Sequence, residues 1–194
     1  MALPLCILIT FLVCSLFPYS SVARNSDMPH NLVRSSCIHA NYPDLCLRTL
    51  TAYVGPAKTP NDVAKAAVSV SLSRARKVSE YLTNLAHIRN GRSGREQGAL
   101  SDCVDQLTDS VDQLKKSLSE LQHLRSRTFR WQMSNAETWV SAALTYEDTC
   151  LDGFQKVDGK IKMDVKRQIT NLAKVTSNAL YLITRLDESR GKGS

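Results

Sequence analysis

The chain has 194 residues, 43% of them apolar, and its 25 Lys and Arg outnumber 18 Asp and Glu for a formal net charge of +7. That length suits one domain with a real core. The basic residues are scattered without aromatics interleaved for base stacking, which argues against a nucleic-acid binder and leaves an acidic matrix or membrane surface as the suitable electrostatic partner.

Residues 3–17 form an almost wholly apolar run, too short to span a bilayer comfortably. Ser21-Val22-Ala23 follows with small residues where a signal peptidase requires them. Residues 1–23 are therefore expected to be a secretory leader cut after Ala23, although its first residues lack Lys or Arg. Cleavage removes Cys6 and Cys14 and leaves Cys37, Cys46, Cys103 and Cys150 in an oxidising compartment, where disulfides persist. No Asn-X-Ser/Thr acceptor occurs, so N-glycosylation is not expected.

Residues 24–58 read as an N-terminal helical hairpin extension with Tyr42-Pro43 at its bend. Cys37 and Cys46 flank that bend symmetrically and can be bridged. Such a hairpin is too short to be stable alone in water, so its disulfide supports it, whether it packs on the rest or projects from it.

Residues 59–188 carry four long helical patterns and no sustained strand alternation. Thr59 caps the first, with Pro60 at its first position and Asp62 in its first turn. Its apolar face runs Val63, Ala67, Val70, Val78, Leu82, Leu85, Ile88. Gly91 to Gly98 punctuate the chain before the second, whose heptad is Leu100, Val104, Leu107, Val111, Leu114, Leu118, Leu121. The third spans about Trp131 to Leu151. The fourth, after Gly153 to Gly159, carries Ile161, Val165, Ile169, Leu172, Val175, Ala179, Leu182 and Leu186.

Four stripes of this kind must hide one another. Short connections make sequential helices antiparallel, which predicts an all-α, up-down-up-down four-helix bundle preceded by the hairpin. Residues 189–194 are expected to be a disordered tail. The midpoint between Cys103 and Cys150 falls in Arg125-Ser126-Arg127-Thr128, between the second and third patterns. Antiparallel helices joined there bring the two cysteines face to face. Of the three connectivities that four cysteines allow, the local pairs 37–46 and 103–150 are the ones helical geometry supports.

Enzyme chemistry finds no foothold. His30, His39, His87 and His123 lie on different segments, no metal-ligand spacing occurs, and no Gly-rich phosphate loop follows a strand. Disulfides commit the thiols, so no cofactor, metal or catalytic residue is expected. Asp102, Asp105, Asp109 and Asp112 step by 3, 4 and 3 along the second helix and form an acidic stripe. Such a stripe is either a solvated face or a docking stripe for a basic or carbohydrate-binding cleft. The densest signature is Trp139 to Phe154. Ala142, Ala143 and Cys150 allow close packing there, Gly153 stops the helix, and Phe154 folds back. Packing explains Thr145, Glu147, Asp148 and Thr149 poorly, since these polar residues cluster beside a disulfide.

These motifs resemble the plant pectin methylesterase inhibitors of the invertase/pectin methylesterase inhibitor superfamily. The resemblance rests on Cys37-x8-Cys46 around Tyr42-Pro43, Ala99-Leu100-Ser101-Asp102-Cys103, Leu114 to Leu121, Ser141-Ala142-Ala143-Leu144-Thr145, Asp148-Thr149-Cys150-Leu151-Asp152-Gly153-Phe154 and Asn178-Ala179-Leu180. It spans roughly Asn31 to Leu186. It implies a secreted, non-enzymatic protein that binds pectin methylesterase one-to-one in the cell wall, covers its pectin-binding cleft and blocks demethylesterification of homogalacturonan. By the same resemblance the second, third and fourth bundle helices form the contact face, with Thr149 near the enzyme's catalytic cleft. Asp102, Asp105, Asp109, Asp112, Thr145, Asp148 and Thr149 are thus the expected partner-binding residues.

Two relatives compete. Inhibitors of cell-wall or vacuolar invertase typically carry Pro-Lys-Phe before the third bundle helix, where this chain reads Ser126-Arg127-Thr128-Phe129-Arg130. Pro-regions of larger pectin methylesterases share the Asp148 to Phe154 motif, but the chain ends at Ser194 without a catalytic domain, so a stand-alone inhibitor is expected. A non-inhibitory helical module of the cell wall is the remaining reading. No nucleic acid and, after leader removal, no membrane is expected as a partner. The net charge leaves room for weak association with acidic pectin.

Overall fold

The computed structural model describes residues 27–53, 57–88 and 94–191. They form α1 (Asp27–Cys37), α2 (Pro43–Tyr53), α3 (Pro60–Ile88), α4 (Gly94–Gln122), a 3₁₀ turn (Ser126–Thr128), α5 (Phe129–Gly153) and α6 (Lys160–Gly191). No strand occurs among the described residues. The expected leader and its cut after Ala23 lie outside them.

Local chemistry sets the helix ends. At α3, the Asp62 N–H donates to Thr59 Oγ1 at 3.2 Å while the Thr59 N–H donates to Asp62 Oδ2 at 3.0 Å, a reciprocal capping box with Pro60 inside it. Burial alone would raise the Asp62 pKa. Bonds from Lys65, Thr59 and Lys58 outweigh it and hold the carboxyl at about 2.

Two expected boundaries shift and one, at Gly153, holds. The punctuation through Gly98 gives way to a helix that starts at Gly94, with Gly98 exposed inside α4; residues 89–93 are not described. α5 ends at Gly153 and Phe154 turns inward, 2% exposed, donating its N–H to Leu151 O at 3.1 Å. Yet Gly153 needs no left-handed backbone. Among the described residues that conformation belongs to Gly159, at φ +95°, just before α6. α6 then continues to Gly191, so residues 189–191 are helical where a disordered tail is expected, and 192–194 lie outside the described residues.

Helices α3 to α6, of 29, 29, 25 and 32 residues, reach roughly 37–48 Å. Each packs against its sequence neighbours, and α6 closes the ring on α3, which is the up-down-up-down bundle. Leu82, Leu100, Leu107, Leu114, Leu121, Met133, Ile169, Leu172 and Ile183 are fully buried at its centre. The hairpin α1–α2 packs on α3 and α6 rather than projecting. The Asn178 amide pins its bend, accepting from the Tyr42 N–H at 2.8 Å and donating to Tyr42 O at 3.0 Å. Lys174 Nζ sits 5.3 Å over the Tyr42 ring.

A polar seam joins α4 to α5. Cys103 and Cys150 are bridged with Cα atoms 4.5 Å apart, and Cys37 is bridged to Cys46. One heptad on from Cys103, Ser110 Oγ donates to Glu147 Oε1 at 3.0 Å. Another heptad on, Ser117 Oγ donates to Ala136 O at 3.0 Å. Val104 and Leu118, expected in the seam, are only partly buried beside it. Glu147 is 0% exposed and also accepts from Thr176 Oγ1 of α6 at 3.0 Å, while its Oε2 is buried without a hydrogen-bond partner. Burial pushes its pKa from 4.5 up to about 8 against those two hydroxyl bonds, and the negative charge of Asp148 adds to the rise.

The loops closed by the disulfides have sequence separations of 47 and 9 residues, which should constrain the unfolded chain by about 4 and about 3 kcal/mol respectively. Replacing Cys103 and Cys150 by Ser should therefore lower the denaturant midpoint further than replacing Cys37 and Cys46. The reverse order would show that the hairpin bridge dominates stability.

Glu147 holds its proton more tightly folded than unfolded. Its contribution is full below pH 4.5 and is lost as pH rises toward about 8, a loss on the order of a few kcal/mol. Asp62 acts in the opposite sense, with stabilisation present above pH 3.8 and lost as pH falls toward 2. Thermal scans should thus peak at about pH 4–5 and decline toward pH 8, and Glu147→Gln should flatten the decline. A melting temperature that rises from pH 5 to pH 8 contradicts a neutral buried carboxyl.

Candidate binding face

Because α4 and α5 run antiparallel, the first half of α4 lies beside the last half of α5. Asp102, Asp105, Asp109 and Asp112 are all exposed on α4, and Thr145, Asp148 and Thr149 are all exposed on α5. Between the helices lies an open groove of about 350 Å³, lined by Asp102, Asp105, Gln106, Thr149 and Asp152. Its floor is the disulfide, with Cys103 and Cys150 only 1% and 2% exposed.

The groove sorts the expected residues. It joins Asp102, Asp105 and Thr149. Thr145 lies one helical turn before Thr149 on the same face, and Asp148 is exposed outside the groove lining. Asp109 and Asp112 continue along α4 beyond it. Asp112 pairs with Lys115 at 2.8 Å, and that hydrogen bond holds its carboxyl below the usual range. The stripe is thus less negative at its far end than four aspartates suggest. Asp152 is a groove residue that the sequence reading passes over. Its position three residues after Thr149 is the signal that places it on the same face. Glu147 belongs to the core, bonded there to Ser110 and Thr176, and not to the polar cluster in which the sequence sets it.

Hydrogen bonding defines what the groove can take. Thr149 Oγ1 donates to Thr145 O at 2.8 Å, and Thr145 Oγ1 donates to Ser141 O at 3.0 Å. Both hydroxyl protons are therefore engaged, and the lone pairs remain outward. Three carboxylates line the groove with Thr149, and the carbonyl end of α5 adds partial negative charge. Apart from the Gln106 amide, the groove side chains accept hydrogen bonds. It suits a partner that brings donors or cations. The groove sulfurs are joined in the disulfide, and no His or Lys is among the residues that line it with Thr149. Among the described residues no three His, Cys, Asp or Glu side chains converge to hold a metal ion.

Comparison with known proteins adds a family to this geometry. Residues 31–182 match the sequence model of the family described as plant invertase/pectin methylesterase inhibitor. Pectinesterase inhibitor 3 of Arabidopsis thaliana is 48% identical over 186 residues, which cover 91% of this chain and 89% of that protein. Pectinesterase inhibitor 9 of the same plant is 38% identical, covering 94% of each chain. A 21 kDa protein of Daucus carota is 39% identical, covering 84% of this chain and 87% of its own. The crystal structure of a pectin methylesterase inhibitor from Arabidopsis thaliana shares the fold, with a TM-score of 0.57 at 20% identity over 80% of this chain and 96% of that one. A mutant form of an Arabidopsis pectin methylesterase inhibitor aligns with a TM-score of 0.62 at 22% identity, over 76% and 92%.

Proposed function

The chain belongs to the plant invertase/pectin methylesterase inhibitor family, and from that premise we propose that it is a secreted, non-enzymatic inhibitor of pectin methylesterase. Near-full-length relatedness to a protein named a pectinesterase inhibitor carries the choice of target. The groove supports the mode of action. A cleft that holds a polymer of uronic acids offers donors and positive charge. Asp102, Asp105 and Asp152 present carboxylates to such a cleft, and Thr149 presents a bare acceptor at its centre.

Rigid presentation favours tight binding, since groups that are already ordered lose little entropy on docking. The disulfide floor and the two threonine back-bonds hold the groove in this way. A stable interface needs about 800 Å² from each partner, more than the groove offers. The adjoining exposed residues Asp109, Thr145 and Asp148 complete the face. One inhibitor then covers one cleft, in the cell wall, and the ester substrate is kept out. No described helix is long and apolar enough to cross a membrane.

Protein secreted from a eukaryotic host should inhibit pectin methylesterase and leave acid invertase untouched, and the mixture should elute as a single one-plus-one species. Asp105→Lys with Asp109→Lys should slow association about tenfold and weaken its salt dependence, as loss of steering charge does. Thr149→Trp should raise the dissociation constant by about tenfold or more, roughly 1.4 kcal/mol, with circular dichroism and melting temperature unchanged. Full inhibition by both folded variants would move the contact face elsewhere, and inhibition of invertase alone would overturn the target.

A further inference from the structure

The turn between α4 and α5 is built to be rigid, and the face described above makes no use of it. Gln132, 6% exposed, commits its whole amide to this turn. Its Oε1 accepts from the Arg125 N–H and from Thr128 Oγ1, both at 2.9 Å. Its Nε2 donates to His123 O at 2.9 Å and to Glu120 Oε2 at 3.3 Å. Asn135 Nδ2 occupies the other Glu120 oxygen at 3.0 Å. The clamp uses the only carboxylate close in sequence to the turn on α4.

On this clamped turn Arg125, Arg127 and Arg130 are exposed, and none forms an ion pair with a carboxylate among the described residues. Trp131 follows, 65% exposed. A large aromatic left in water beside unpaired guanidiniums is the composition of an interaction hot spot rather than of a solvated helix end. Guanidinium forks match carboxylates in plane, and an indole face packs against the C–H face of a sugar ring.

We propose that this turn is a docking site for a polymer of uronic-acid carboxylates, the demethylesterified form of the substrate whose processing the inhibitor blocks. The inference rests on the inhibitor reading for the identity of that polymer. The charge layout supports it. Along α5, Trp131 lies about 27 Å from Thr149 at 1.5 Å per residue. The aspartates of the groove repel a polyanion while the turn attracts one. One end of the bundle is thereby left for the enzyme, and the other holds the molecule on wall polymer that the enzyme has already acted on.

Isothermal titration of the secreted protein with polygalacturonate, fully methylesterified pectin and phosphatidylserine vesicles tests this. Polygalacturonate should bind, more weakly as salt rises, and the methylesterified polymer should not. Arg127→Glu with Arg130→Glu should lower polygalacturonate affinity at least tenfold. Trp131→Ala should lower it severalfold while leaving the salt dependence unchanged. Both variants should keep the parent's circular dichroism and its complex with pectin methylesterase. The proposal is overturned if polygalacturonate does not bind, if esterification makes no difference, if the vesicles bind more tightly, or if the variants bind like the parent. Loss of the esterase complex in variants that still bind polymer also overturns it. Turn-dependent polygalacturonate binding by a protein that forms no esterase complex supports this site and sinks only the inhibitor reading.

Discussion

The register of α4 against α5 is the constraint on which the rest of the structure depends. Apolar heptads alone define it weakly, since Leu107, Val111, Leu114, Leu118 and Leu121 follow one another at alternating spacings of 4 and 3 and a slip of one turn, about 5.4 Å, would exchange one apolar contact for another. Directional links remove that freedom. The Cys103–Cys150 bridge, the Ser110–Glu147 bond, the Ser117–Ala136 bond and the Gln132 amide lie in order along the seam. Each is lost on a one-turn slip, and Glu147 would then carry a buried carboxyl without the Ser110 hydroxyl, keeping only that of Thr176 on α6. A buried polar group of that kind contributes little net stability but penalises alternatives heavily.

Both candidate binding surfaces are consequences of this register. The groove exists because Asp102 and Asp105 on α4 come level with Thr149 and Asp152 on α5, over the disulfide. The basic turn exists because the same two helices meet at 123–128 and the Gln132 amide closes them there. The exposed aspartates of the groove therefore gather at one end of the pair, and three arginines without an ion pair among the described residues at the other. A chain of net charge +7 thus carries an acceptor-rich groove suited to a cationic cleft at one end and a turn suited to polyanions at the other. A further bond, donated by Thr176 to Glu147, ties the seam to α6, and Asn178, half a turn on, ties α6 to the hairpin bend. The hairpin is thereby held to the same frame.

Much of this was legible in the residues. The helices follow from 3.6-residue periodicity, the start of α3 from the Thr59/Asp62 pattern, and both disulfides from symmetry about their turns. The polar seam was not legible because a search for apolar repeats passes over serine, and Ser110 and Ser117 are visible only as heptad echoes of Cys103. Glu147 was grouped with its exposed neighbours, although it stands three residues before buried Cys150 and four after buried Ala143, spacings that point inward. Asp152 required knowing that α5 keeps its helical turn to Gly153. Gly98 misled because glycine lowers helix propensity by only about 1 kcal/mol, which the long α4 absorbs. The clamp by Gln132 depends on tertiary contacts that no local pattern encodes.

In the proposed complex the groove end of the α4–α5 pair engages pectin methylesterase while the turn end stays free. Hydrogen–deuterium exchange of the inhibitor, alone and with saturating enzyme, tests it most directly. Slowed exchange confined to peptides covering Asp102–Asp112 and Thr145–Gly153, with Arg125–Trp131 unchanged, is the result this account predicts. Slowed exchange at the turn with none at the groove would contradict it.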